Sequence, residues 1–259
     1  MFSKPKTSTH IKPRTGFKKP VATELTEKNT KLWREDWSIP NKVFEFGAFH
    51  RFKQVYFNEL KGLPLKFLIA LKKRNPKVMV LGPGIGLDLI ELKRYLERFE
   101  IDPEIDTFAI TKALDVDAKK LTVTNEFAFN TPLELIDPKN PEHNAFVNHV
   151  TNRYDLVIAP LSVGFHTHYP AQNSFKSALM LTKGGEAFVQ LEYVFGGETL
   201  IESAKKRKAL KTLFGKLVNN HNKRNGTNLQ FELEFVRPNI AMRMLSSTYQ
   251  IYLRIKRVN

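Results

Sequence analysis

Val78-Met79-Val80-Leu81 is a short, wholly apolar run, and Gly82-Pro83-Gly84-Ile85-Gly86 follows it without a gap. No other junction constrains the fold of this chain as strongly. Four apolar residues bounded by turn formers are what a strand buried on both faces of a parallel sheet presents. Glycines directly after it let the backbone turn tightly and approach a ligand with no Cβ in the way. From Leu87 to about Phe99 the residues read as a helix, with Asp88 and Glu91 in its first turns, where the helix dipole favours acids. The free N–H groups of such a helix point back at whatever the loop holds. A dinucleotide fingerprint, G-x-G-x-x-G, needs a third glycine at position 87, and Leu87 stands there.

An alternating α/β pattern surrounds this unit. Leu65 to Leu71 is apolar and ends in Lys72-Lys73-Arg74, as a helix C-terminus prefers, with Pro76 as the stop. Ile105 to Thr111 reads as a second strand and Val123 to Phe129 as a third. Asn140-Pro141-Glu142 is an N-cap with proline at the first helical position, so a short helix is expected to about Val150. Asp155 to Ala159 is a fourth strand; Ser174 to Leu181 is a helix closed by Lys183-Gly184-Gly185; Ala187 to Leu191 is a fifth strand. A basic helix fills roughly residues 199–222, Asn225-Gly226 is a turn, and Leu229 to Val236 and Thr248 to Ile255 are alternating strands. Only the 11 residues Arg237 to Ser247 separate that last pair, too few for a helical crossover, so the two are expected to be antiparallel neighbours. The fold class is α/β: one doubly wound, mostly parallel sheet with an antiparallel last strand.

The 259 residues, 42% hydrophobic, suffice for one large α/β domain with a buried core. The expected organisation is a flexible basic arm over residues 1–30, an aromatic-rich helical cap over 31–75, and the Rossmann-like domain over 76–259. No apolar run reaches the ~18 residues that span a bilayer, and the start has no apolar core of a secretory signal. An intracellular, cytoplasmic location is the expectation; the basic, acid-free start also has the composition of a mitochondrial presequence, although its three prolines oppose an amphipathic helix. With no cysteine, disulfides, thiolate zinc sites and cysteine nucleophiles are all excluded. The net charge of +15 is concentrated: six basic residues and no acid in residues 1–20, and eight basic residues against Glu202 in residues 202–224. Such clusters gain free energy by displacing the counterions of a polyphosphate, and also serve simply as solvated faces.

Three stretches together resemble the class I S-adenosylmethionine (SAM)-dependent methyltransferases. Val78 to Gly86 is similar to that family's first strand and GxGxG loop. Tyr154 to Ser162 is similar to its fourth strand and the start of its active-site loop, and Leu179 to Val189, with Lys183-Gly184-Gly185, is similar to its L-x-x-G-G turn and fifth strand. The resemblance implies SAM as cofactor, held by Gly82, Pro83, Gly84 and Gly86, with Asp88 as a polar partner inside the loop. It further implies Thr111 at the end of the second strand for the ribose, with Asp115 four residues on, Asn130 after the third strand for the adenine edge, and Pro160 and Leu161 after the fourth. Two departures stand out. Many members carry an acid before the first glycine, where this chain has Leu81, and many end the second strand with an acid, where it has Thr111.

Methyl transfer from a sulfonium is an in-line displacement for which positioning is the main task. Phe165-His166-Thr167-His168-Tyr169-Pro170 follows the fourth strand, at the carboxyl edge where ligands bind in such sheets, and makes His166 and His168 the candidate general bases. No third ligand close in sequence completes a zinc site with this pair. The side-chain acceptor of the Asn/Asp-Pro-Pro-Tyr amino-group enzymes is absent from Ala159-Pro160-Leu161-Ser162, and so is the Asp of the ribose 2′-O enzymes. The expectation is a methyltransferase acting on RNA or an RNA-associated protein. The competing readings are a non-catalytic nucleic-acid binder with a degenerate fold and a small-molecule methyltransferase.

Overall fold

A computed structural model describes residues 65–72, 75–83, 87–109, 123–129, 131, 133–159, 169–191, 200–236 and 252–259. The flexible arm expected over 1–30 and most of the expected cap lie outside the described residues.

The elements run α1 (Leu65–Lys72), β1 (Lys77–Leu81), α2 (Leu87–Glu97), β2 (Glu104–Ala109), β3 (Asn125–Ala128), a 3-10 turn (Leu133–Leu135), α3 (Pro141–Val150), β4 (Tyr154–Ala159), α4 (Pro170–Leu179), β5 (Leu181–Gln190), α5 (Leu200–Asn225), β6 (Phe231–Val236) and β7 (Tyr252–Arg257). The strands form one seven-stranded sheet in the order β3-β2-β1-β4-β5-β7-β6. The first five are mutually parallel, while β7 pairs antiparallel with both β5 and β6. The expected doubly wound sheet with an antiparallel last strand is therefore the observed one.

Alternate residues of the central strands feed two cores. Met79, Leu81, Phe108 and Val157 face α3, α4 and α5 through Phe146, Val150, Ala178, Leu210 and Phe214. Val78, Val80, Ile105 and Ile158 face α1 and α2 through Leu68, Leu71, Leu89, Leu92 and Leu96. Burial on both sides is why residues 78–81 of β1 and 156–159 of β4 read as unbroken apolar runs. The cap at Asn140 forms as its residue type dictates: the side chain accepts from the Glu142 N–H, Pro141 opens the helix, and α3 runs to Val150.

Several boundaries shift by a few residues, as where α4 opens at Pro170 rather than Ser174, and one differs in kind. Lys183-Gly184-Gly185 does not end a helix; α4 stops at Leu179, and β5 already begins at Leu181. The register moves from Tyr154↔Leu181 to Leu156↔Glu186, so β5 bulges over these residues. Gly184 takes φ +79° there. A Cβ on Gly185 would sit 3.0–3.1 Å from the carbonyl oxygens of Thr182, Tyr154 and Asp155. The glycines serve a bulge inside a strand, and a turn signal in sequence is blind to that distinction.

Candidate functional site

The strand order reverses between β1 and β4, since β2 and β3 lie to one side and β5 to the other. Chains leaving the carboxyl ends of β1 and β4 therefore diverge to opposite sides and open a crevice, the usual ligand position in such sheets. Cross-strand pairing levels the edge: Leu81 pairs with Phe108, Phe108 with Phe127, Val80 with Ile158, and Ile158 with Phe188. Apart from Asp88 on the helix after β1, every candidate cofactor residue follows a strand end on this edge by a few residues in sequence.

Gly82 makes the turn. Its N–H donates to the Phe108 carbonyl at 2.7 Å, one bond beyond the last β1–β2 pair, and its φ is +71°. A left-handed backbone there suits glycine, because a Cβ costs about 1–2 kcal/mol in that conformation. Pro83 is buried, and α2 opens at Leu87. Asp88 is the second residue of α2; its side chain lies outside the described residues, as do Gly84, Gly86, Thr111, Asp115, Asn130, Pro160, Leu161, His166 and His168. Leu81 is fully buried in the core beneath α3, α4 and α5, so the position that takes an acid in many class I enzymes is a packing position here.

Two features around the edge escape sequence reasoning. Lys176 on α4 sends its ammonium to three carbonyls around the 3-10 turn: Leu133 and Glu134 at 2.9 Å and Ile136 at 2.5 Å. That bond set ties the segment just after β3 to the helix just after the β4 connection. Burial pushes the Lys176 ammonium down to about 8, against the opposing pull of Glu134 and Asp137. In sequence, Lys176 looks like any lysine on a helix surface. The second feature is an aromatic cluster at the ends of β2 and β3. Phe146 meets Phe108, Phe127 and Phe129 at ring distances of 5.1–5.2 Å. These rings pack on one another, which fixes the end of β3 against α3.

The described histidines have structural partners. His143 Nδ1 accepts from the Asp137 N–H at 3.1 Å, and His149 Nε2 lies 3.4 Å from Asp106 Oδ2. Asp106 is almost completely buried on β2, and it also accepts from Tyr154 Oη and Asn125 Nδ2, each at 2.7 Å. This network lies towards the amino ends of the strands, away from the crevice. Among the described residues no cluster of three potential ligands forms a metal site, and no helix is long and apolar enough to cross a membrane.

No family model and no curated protein matches the sequence. Solved structures do. A Burkholderia thailandensis 1,6-didemethyltoxoflavin-N1-methyltransferase, solved with 1,6-didemethyltoxoflavin and S-adenosylhomocysteine, aligns over 96% of this chain and 94% of its own at a TM-score of 0.52 and 11% identity. The plantazolicin methyltransferase BamL, in complex with a triazolic desmethylPZN analog and S-adenosylhomocysteine, aligns over 92% and 98% at a TM-score of 0.47 and 14% identity. The CMeT domain of the citrinin polyketide synthase aligns over 83% of this chain at a TM-score of 0.45 and 13% identity; the match spans 52%, about half, of that chain. The toxoflavin-enzyme likeness, with the strand order, shows that the fold is that of the class I SAM-dependent methyltransferases.

Proposed function

We propose that the chain is a SAM-dependent methyltransferase whose cofactor lies across the β1–β4 reversal. The observation that carries this reading is the left-handed turn at Gly82 placed at that reversal, with α2 opening directly behind it. The turn leaves the strand end without a Cβ, which is what close approach of a ligand to the backbone needs. Gly82, Pro83, Gly84 and Gly86 would hold the cofactor from the β1 side, and Asp88, Thr111, Asn130, Pro160 and Leu161 from the strand ends around it. SAM supplies an activated methyl group; the chain's task is to orient a nucleophile and take up its proton where one is lost. His166 and His168 are the proposed bases. Isothermal calorimetry with SAM tests the reading, and absence of heat at millimolar SAM would sink it.

The substrate we propose is RNA or an RNA-associated protein, contacted through the basic segments 1–20 and 202–224. The support is the concentration of charge in those segments, since lysines there gain free energy by releasing phosphate counterions. Tritium transfer from labelled SAM into RNA, into bound protein or into neither separates this from a small-molecule substrate. The burial of Leu81 favours a second reading, a class I fold without cofactor that binds nucleic acid alone. The same calorimetric titration decides between them.

A further inference from the structure

α5 is a 26-residue helix with two very different sides. Leu210, Phe214 and Val218 are buried against the sheet and α4. Arg207 and Lys211 lie over the Phe235 ring of β6, at 5.9 and 5.5 Å from its centroid. These two cations help seat the helix. On the side opposite the buried residues stand Lys205 and Lys208 one turn apart, then Lys216 and Lys223 at intervals of about two turns, all exposed. No acid occurs from Ser203 to Asn225. At 1.5 Å per residue the stripe is about 27 Å long.

Register fixes which way it runs. Phe235 pairs with Leu253, Leu253 with Val189, and Val189 with Ala159, so the Arg207–Lys211 turn is level with the carboxyl ends of β4 and β5. Phe214, one to two turns on, meets Phe231 near the opposite end of β6. Lys205 and Lys208 are thus near the level of the sheet's carboxyl edge, the edge on which the crevice opens, and Lys216 and Lys223 lead away from it.

We propose that the outward face of α5 is a docking track for a nucleic-acid backbone that leads its strand towards the crevice. The proposal rests on the nucleic-acid reading above and names the surface that would serve it. Four cations with no acid among them can each meet a phosphate of a backbone laid along the helix; at the roughly 3.4 Å axial rise of one strand of a duplex the stripe covers about eight nucleotides. A lipid surface fits less well. A helix lying in a membrane interface buries an apolar face there, and the apolar face of α5 is spent on the sheet; among its described side chains the one large apolar group that is exposed is Leu213, on the flank.

The test uses the full chain and fluorescence anisotropy with labelled single-stranded RNA and DNA of 8 and 20 nucleotides over a salt series. Lys223→Gln is expected to lower the slope of log K against log salt by about 0.7, and the quadruple Gln variant of the stripe by about three. Lys139→Gln, an exposed lysine on the connection before α3, is expected to leave the slope unchanged. Circular dichroism checks that each variant is folded. Equal losses from Lys139→Gln and Lys223→Gln, an unchanged slope in the folded quadruple variant, or equally tight binding to polyglutamate or anionic vesicles would overturn the track. Preference for RNA over DNA, or equal binding of both, upholds it and separates an RNA-selective site from a general phosphate track. SAM calorimetry on the same variants keeps the two proposals apart. Intact SAM binding with no slope change removes the track alone, and a normal slope without SAM binding removes the methyltransferase reading alone.

Discussion

Single residues hold this fold at a few buried polar points. Tyr154 Oη donates to the buried Asp106 carboxylate, and burial followed by that bond pushes the phenol well above its ordinary range, so the donor stays protonated. Tyr154→Phe leaves the carboxylate one partner short, and urea unfolding should show a loss of about 1–3 kcal/mol. Lys176 behaves in the opposite sense. Its folded value of about 8 is below the 10.5 of an unperturbed lysine. Between those values the unfolded chain carries a proton that the folded chain lacks, so raising the pH favours folding. The stability of the native chain relative to Lys176→Met should therefore grow from about pH 8 to pH 10.5 and be flat below pH 7, as measured by denaturant midpoints. Gly185→Ala places a methyl against three carbonyls, and a loss of about 1–3 kcal/mol is expected in the same assay.

At the scale of elements, period and punctuation locate most of the structure. The apolar run of β1, the Asn140-Pro141 cap of α3 and the antiparallel closing pair are all read from local pattern, because each is set by local backbone chemistry or by a face that must be buried. The β5 bulge is not legible, since Gly184-Gly185 announces a turn without saying whether a strand continues through it. The Asp106–Tyr154 and Lys176 contacts join residues far apart in sequence, and no spacing rule brings such groups together. At the candidate site, the Gly82 turn is legible from its residue type, whereas the roles given to Thr111 and Asn130 rest on family likeness and those given to His166 and His168 on their place after the fourth strand and on imidazole chemistry. Helix α5 shows how a basic segment divides once it is folded. Phe214→Ala should cost about 3–5 kcal/mol, and Leu213→Gln, one residue away and exposed, less than about 0.5 kcal/mol by thermal or urea unfolding.

For the whole molecule, the cofactor reading implies a thermodynamic linkage. A ligand that binds only the folded chain stabilises it by about 2.7 kcal/mol at a hundredfold excess over its dissociation constant. The consequence of the strand order is kinetic. Among the described strands β6 pairs only with β7, and β7 is translated after both of the strands it separates. Until β7 arrives, β5 is an open edge and β6 has no partner, although α5 already has an apolar side to cover. A nascent chain paused in that interval offers two bare strand edges to its neighbours, one with Phe231, Leu233 and Phe235 along it, the kind of surface on which strands from other chains pair. The vulnerable moment for this sheet is thus the interval before β7 is made, when its other strands are already in place.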